Sequence, residues 1–178
     1  MQDVLETIFG NVNDWLKFAE AKSATLLAAN GLVIFGILRL TQNKAISGVE
    51  SCILAFVVGL FSISLLLCLA SLIPSLELPF IRKKYSKKDS DNLLYFAHIE
   101  NYTPTAYLNA LYKAKQATSS NASTAGSYSE LEKMYAKQII TNSVIASYKY
   151  SVFKKAIWAT LLGGICSIFL LIVYMVAN

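Results

Sequence analysis

Tyr135, Gln138, Asn142, Ile145, Lys149 and Val152 recur at spacings of three and four, so a helix would place them on one face. That face sets two carboxamides and an ammonium among packable side chains. A buried polar group without a partner costs about 1–3 kcal/mol, so Gln138, Asn142 and Lys149 require partners within the chain, a polar ligand, or solvent. The single histidine, His98, stands near Tyr95 and Phe96, where a packed or hydrogen-bonded imidazole is the plain reading and a general base the sharper one. No GxSxG, HExxH, Walker loop or nucleotide-binding glycine motif occurs, and no catalytic residue is assigned. Cys52 and Cys68 would stand ~24 Å apart along one helix, too far for a disulfide. Cys166 lies in a separate apolar run. With one histidine and no paired thiols at ligand spacing, no metal site is expected.

The elements that must position these groups belong to a chain of 178 residues, 55% hydrophobic and only 15% charged. Soluble domains carry about 25% charged residues, so the balance points to a membrane protein. The net charge of +5 is modest for a nucleic-acid binder, and no nucleic-acid partner is expected. Three runs lack charge: Ser23 to Leu38, Ser51 to Leu76, and Ala156 to Asn178. About 20 helical residues cross the ~30 Å hydrocarbon core. These runs predict transmembrane helices over 23–40, 52–73 and 156–176. The first is short, with Asn30 and Gly31 at its middle, which suits a tilted span or an inward-facing helix. The acidic start MQDVLETIFGNVNDWL lacks the basic region of a signal peptide, so no cleavage is expected.

Basic residues collect between the second and third runs, notably Arg82, Lys83, Lys84, Lys87 and Lys88 beyond the second and Lys154 and Lys155 before the third. Basic flanks stay cytoplasmic, so residues 74–155 are expected inside the cell, the N-terminus with them and the C-terminus outside. The Arg82–Lys88 cluster reads first as this topology signal and second as a lipid or nucleic-acid patch. In the cytoplasm the sequons at Asn101 and Asn121 are chance matches.

Residues 1–22 show helical periodicity, with Val4, Leu5, Ile8, Phe9, Val12, Trp15, Leu16 and Ala19 on one side. The polar side, with Asp3, Glu6, Asp14 and Glu20 against Lys17 and Lys22, suits packing on cytoplasmic helices better than an anionic bilayer. Pro74 and Pro79 end the second span. Asn92–Ile99 predicts a short helix capped by Asp89, Ser90 or Asp91. Thr103 before Pro104 predicts another, with Tyr107, Leu108, Leu111 and Tyr112 at helical spacing. Residues 117–129 have almost nothing to bury and read as a flexible loop. Ser129 with Glu132 forms a capping box, and no breaker follows until Trp158, so one long helix is predicted from the cytoplasm into the third span.

Three segments, AKSATLLAANG at Ala21–Gly31, NLLYFAHI at Asn92–Ile99 and QIITNSVIASYKY at Gln138–Tyr150, together resemble the Pycsar transmembrane effector family in order and spacing. The resemblance runs from about Phe18 to the C-terminus, with 117–129 unmatched. It implies a bacterial antiphage effector of the inner membrane that responds to cyclic CMP or cyclic UMP from a partner cyclase and then damages the membrane, arresting or killing the infected cell. The family's polar positions fall at Asn92, Tyr95, Phe96, His98, Gln138, Asn142 and Lys149. On that basis Lys149 or Lys137 would pair with the cyclic phosphate, Asn92, Gln138 or Asn142 would read the pyrimidine edge, and Tyr95 or Phe96 would stack on the base.

The fold expected is an all-α membrane protein, three spans with a cytoplasmic helical region. Three helices cannot surround an aqueous pore, so a homo-oligomer in contact with lipid is expected. Asn30, Ser62, Ser64 and Thr160 are candidates for pore lining or for helix contacts, the latter favoured. The rival readings are a membrane-disrupting effector gated by a different signal and a scaffold without a pore that docks a partner protein.

Overall fold

A computed structural model describes residues 1–42, 48–73, 91–118 and 128–177. All its regular elements are helices: α1 (Gln2–Thr41), α2 (Gly48–Leu72), α3 (Phe96–Ile99), α4 (Pro104–Thr118) and α5 (Glu130–Ala177). No strand occurs among the described residues. The expected arrangement of one helix entering the first apolar run without a break holds, because α1 has 40 residues and contains no proline. At ~1.5 Å per residue it is ~60 Å long, twice the hydrocarbon thickness. The 48-residue α5 likewise runs unbroken.

The helix starts follow local chemistry. At α4, Pro104 takes the first turn, and the Ala106 amide donates to Thr103 Oγ1 at 3.3 Å. At α5 the capping box closes in both directions: the Glu132 amide donates to Ser129 Oγ at 3.2 Å and the Ser129 amide to Glu132 Oε2 at 3.1 Å. The helix expected over Asn92–Ile99 is shorter than its sequence suggested. It begins at Phe96, with Tyr95 at the N-cap and no side-chain cap. Asn92 Oδ1 accepts the Leu94 amide at 2.9 Å and Asn92 O the Tyr95 amide at 3.1 Å. The asparagine thus closes a turn that competes with the helix. The expectations for Pro74, Pro79, Arg82–Lys88 and Asn121, and for most of the 117–129 loop, concern residues outside those described.

The described residues divide into two compact units, one drawn from Met1–Phe18 and Ser75–Lys149, the other from Ala19–Pro74 and Tyr150–Asn178. The first is organised like a water-soluble domain. Leu5, Ile8 and Val12 of α1 bury against Ile99, against Tyr107, Leu108 and Leu111 of α4, and against Ala136, Ile139 and Ile140 of α5. Each set repeats at helical spacing, which gives every helix one apolar face. Trp15, expected on the buried side of α1, is instead 41% exposed, and Val4 is exposed too, because the core takes the narrower stripe through Leu5, Ile8 and Val12.

The second unit reverses that organisation. Its buried cluster is small, Leu26, Cys68 and Ala156, with Leu27, Leu67, Phe153 and Ile157 packed against it. Large apolar side chains such as Phe35, Phe56, Leu66, Ile165 and Phe169 point outward, Phe35 with 68% of its surface open. Leaving such area in water costs roughly 25 cal/mol per Å². Three helices, α1, α2 and α5, are long and apolar enough to cross a membrane, and lipid is the solvent that makes their outward faces stable.

Candidate functional site

The first unit brings the sequence-nominated residues together in two groups, both packed beside α1. In one, the turn at Asn92–Tyr95 and the single turn of α3 present an aromatic row. Trp15 meets Phe96 with centroids 5.7 Å apart, Phe96 meets Tyr95 at 4.8 Å, and Tyr95 meets His98 edge-on at 5.3 Å. Phe96 is buried, whereas Tyr95 is open at its outer side. The Asn92 amide donates to His98 Nδ1 at 2.9 Å, so that nitrogen offers its lone pair and the ring's proton sits on Nε2. Asp91 Oδ1 stands 3.8 Å from Nδ1, and the Tyr102 hydroxyl donates to Asp91 Oδ2 at 3.4 Å. His98 is thereby a hydrogen-bonded imidazole, in keeping with the plain reading of its sequence position.

The second group lies on α5. Gln138 Nε2 donates to Asn142 Oδ1 at 3.1 Å, and Asn142 Nδ2 donates to Asn13 Oδ1 at 2.6 Å. Asn142 and Lys149 are buried, Gln138 and Lys137 exposed. Two of the unexplained polar groups on the helical stripe therefore find partners inside the chain, one of them on α1. Near them Ser143 and Ser147 carry buried hydroxyls with no hydrogen-bond partner among the described residues.

A groove about 420 Å³ in volume opens beside the aromatic row. Asn11, Asp14, Trp15 and Phe18 of α1 form one side and Leu94 the other. Periodicity assigns Trp15 to packing and Asp14 to the polar side of the helix, and it gives Asn11 and Phe18 no role. The available signal was their spacing of three, four and seven, which places them on one face of α1.

Tyrosines tie the remaining elements. The Tyr107 hydroxyl donates to Leu93 O at 2.7 Å, and burial with the nearby Tyr102 pushes its pKa upward. Tyr112 donates to Glu132 Oε1 at 2.8 Å and Tyr128 to Asn109. Burial pushes the Glu132 carboxyl up, but the hydrogen bonds from Tyr112 and Ser129 outweigh it and hold the group below its ordinary value.

In the second unit three spans contribute one side chain each to a closed polar ring. Asn30 Nδ2 donates to Ser64 Oγ at 2.8 Å, Ser64 Oγ donates to Ala156 O at 2.8 Å, and Thr160 Oγ1 donates to Asn30 Oδ1 at 3.1 Å. Thr160 Oγ1 also lies 2.8 Å from Ser64 Oγ. Ser23 and Ser71 pair at 3.2 Å. Ser62 is half-buried and stands outside the ring. Lys22 sits over the rings of Tyr150 and Phe153, at 5.6 and 6.0 Å from their centroids. Among the described residues no three metal-ligating side chains cluster.

A family model described as the Pycsar effector protein domain matches residues 4–177. The chain belongs to the Pycsar effector family. No curated protein and no solved structure matches it. With its three apolar helices, this Pycsar effector is a membrane protein of antiphage defence, in a family of the non-enzymatic effector kind whose signal is a cyclic nucleotide from a partner cyclase. The match includes the segment 117–129, which the sequence motifs alone had left uncovered.

Proposed function

We propose that this effector senses cyclic CMP or cyclic UMP through the unit built on α3, α4 and the adjoining parts of α1 and α5, and then impairs the integrity of the inner membrane. That unit is cytoplasmic in this reading, as is the N-terminus, with the C-terminus periplasmic. Segment 1–22 is then the cytoplasmic amphipathic helix, 23–40, 52–73 and 156–176 are the spans, and 74–155 is the sensing region. The observation that carries the proposal is the continuity of α1 and α5, each of which contributes to both units without a break. A ligand held by the first unit acts on the same helices that supply two of the three apolar spans.

Binding shifts the protein only to the extent that the ligand prefers the active arrangement, and moving from 1% to 99% active needs a preference of about 10⁴-fold. Lys149 or Lys137 neutralises the cyclic phosphate. Homo-oligomers disturb the bilayer, since one copy supplies too few helices for a pore. Asn30, Ser64 and Thr160 hold the spans together before activation and become available to line a polar path only if their ring opens.

Dye and ion efflux from liposomes holding the purified protein tests this directly, titrated with cyclic CMP, cyclic UMP and, as control, cyclic AMP. Release with a pyrimidine nucleotide alone is expected. Silence with all three, given verified insertion, would reject the proposed signal.

A further inference from the structure

Resting on the cyclic-pyrimidine reading, we propose that the base docks in the groove between α1 and the Asn92–Tyr95 turn, stacked on Trp15 and Phe18 with Asn11 and Asp14 at its edge. Some of the residues nominated from sequence are committed elsewhere. Phe96 is buried, Asn92 Oδ1 holds the Leu94 amide, and Gln138 donates to Asn142, which in turn donates to Asn13, while Tyr95 stays open beside the groove. In the groove, Trp15 is 41% and Phe18 50% exposed. The indole is braced by Phe96, itself braced by Tyr95, so a stacked base meets a wall that is already ordered and little side-chain entropy is lost. The groove's volume, about 420 Å³, lies within the range of small-molecule sites, roughly 300–1,000 Å³.

The polar rim matches a pyrimidine. Cytosine and uracil each show an N–H donor beside an acceptor on the pairing edge. The Asp14 carboxylate accepts, and the Asn11 carboxamide donates. Lys17 Nζ, 3.6 Å from Asp14 Oδ1, offsets the negative charge that an anionic nucleotide would otherwise meet. A lipid headgroup is the other surface exposed aromatics suit, but Asp14, with Asp3 and Glu6 earlier on α1, repels an anionic bilayer.

The test is calorimetric titration of the full-length protein in detergent with cyclic CMP and cyclic UMP, comparing wild type, Phe18→Ser, Asp14→Asn and, outside the groove, Leu131→Ala. Phe18→Ser is expected to weaken binding about 10- to 100-fold, the loss of one base–aromatic stack. Asp14→Asn is expected to weaken it as well, although deleting a negative charge would tighten an anion held by charge alone. Leu131→Ala should bind as wild type. Both exposed groove variants should melt as wild type, which separates lost binding from lost fold. Wild-type affinity in both groove variants would overturn the groove assignment and leave nucleotide sensing standing. Absence of any binding by the wild type would overturn both.

Discussion

Asn30 is 1% exposed inside an apolar run, yet neither of its carboxamide atoms lacks a partner, because Ser64 and Thr160 arrive from the other two spans. Interhelical hydrogen bonds in lipid average about 0.6 kcal/mol and reach ~1.7 kcal/mol. Asn30→Ala removes two such bonds and should lower stability by about 1–2 kcal/mol, read as a lower melting midpoint in detergent. Ser62→Ala, outside the ring, should leave that midpoint unchanged. These positions were visible in the sequence as polar interruptions of apolar runs. What the sequence withheld was the pairing, since Asn30 and Thr160 lie 130 residues apart. Asn142 teaches the same point: its place on the helical stripe was legible, but its partner Asn13 was hidden among acidic and polar neighbours on α1 with no distinguishing spacing. Periodicity ranks Trp15 with the packing residues, whereas burial depends on how wide a stripe the neighbouring helices can cover.

At the scale of elements, Gly163 of α5 leaves room for the Phe61 ring of α2. A Cβ placed at Gly163 would come within 3.0 Å of Phe61 Cε2. Gly163→Leu should therefore cost about 1–3 kcal/mol through overpacking, and adding Phe61→Ala should recover part of the loss, a non-additivity measurable by a double-mutant cycle. The start of α5 offers a pH-dependent counterpart. The folded-state pKa of Glu132 is lowered, so its contribution is complete above about pH 4.5, the ordinary value, and is lost as the pH falls through the depressed one. Helicity measured on acid titration should reveal this loss, and Glu132→Gln should flatten that part of the curve. Caps at Thr103 and Ser129 were readable because they are local chemistry. The shortened α3 was not, because Asn92 can serve either a helix or a turn, and the choice lies in the hydrogen bonds around it.

For the whole molecule, the decisive contrast is between one unit with its apolar residues inside and another with them outside. The charge-free runs made three spans legible from composition alone, because lipid imposes length and polarity limits that water does not. The groove on α1 was not legible, since it exists only where the Asn92–Tyr95 turn lies against that helix. Membranes from expressing cells should retain the protein after washing at alkaline pH, and recovery in the wash would contradict integral insertion.

The ring of Asn30, Ser64 and Thr160 also gives biogenesis an order. Its first bond joins residues 34 apart, within a hairpin that can zip as soon as two spans are in the bilayer. The bonds from Ser64 Oγ to Ala156 O and from Thr160 Oγ1 to Asn30 Oδ1 wait for a segment 92 to 130 residues downstream. Until α5 arrives, Asn30 Oδ1 lacks the hydroxyl that satisfies it in the finished fold, so a copy without its third span carries an unpaired carbonyl at the middle of its first.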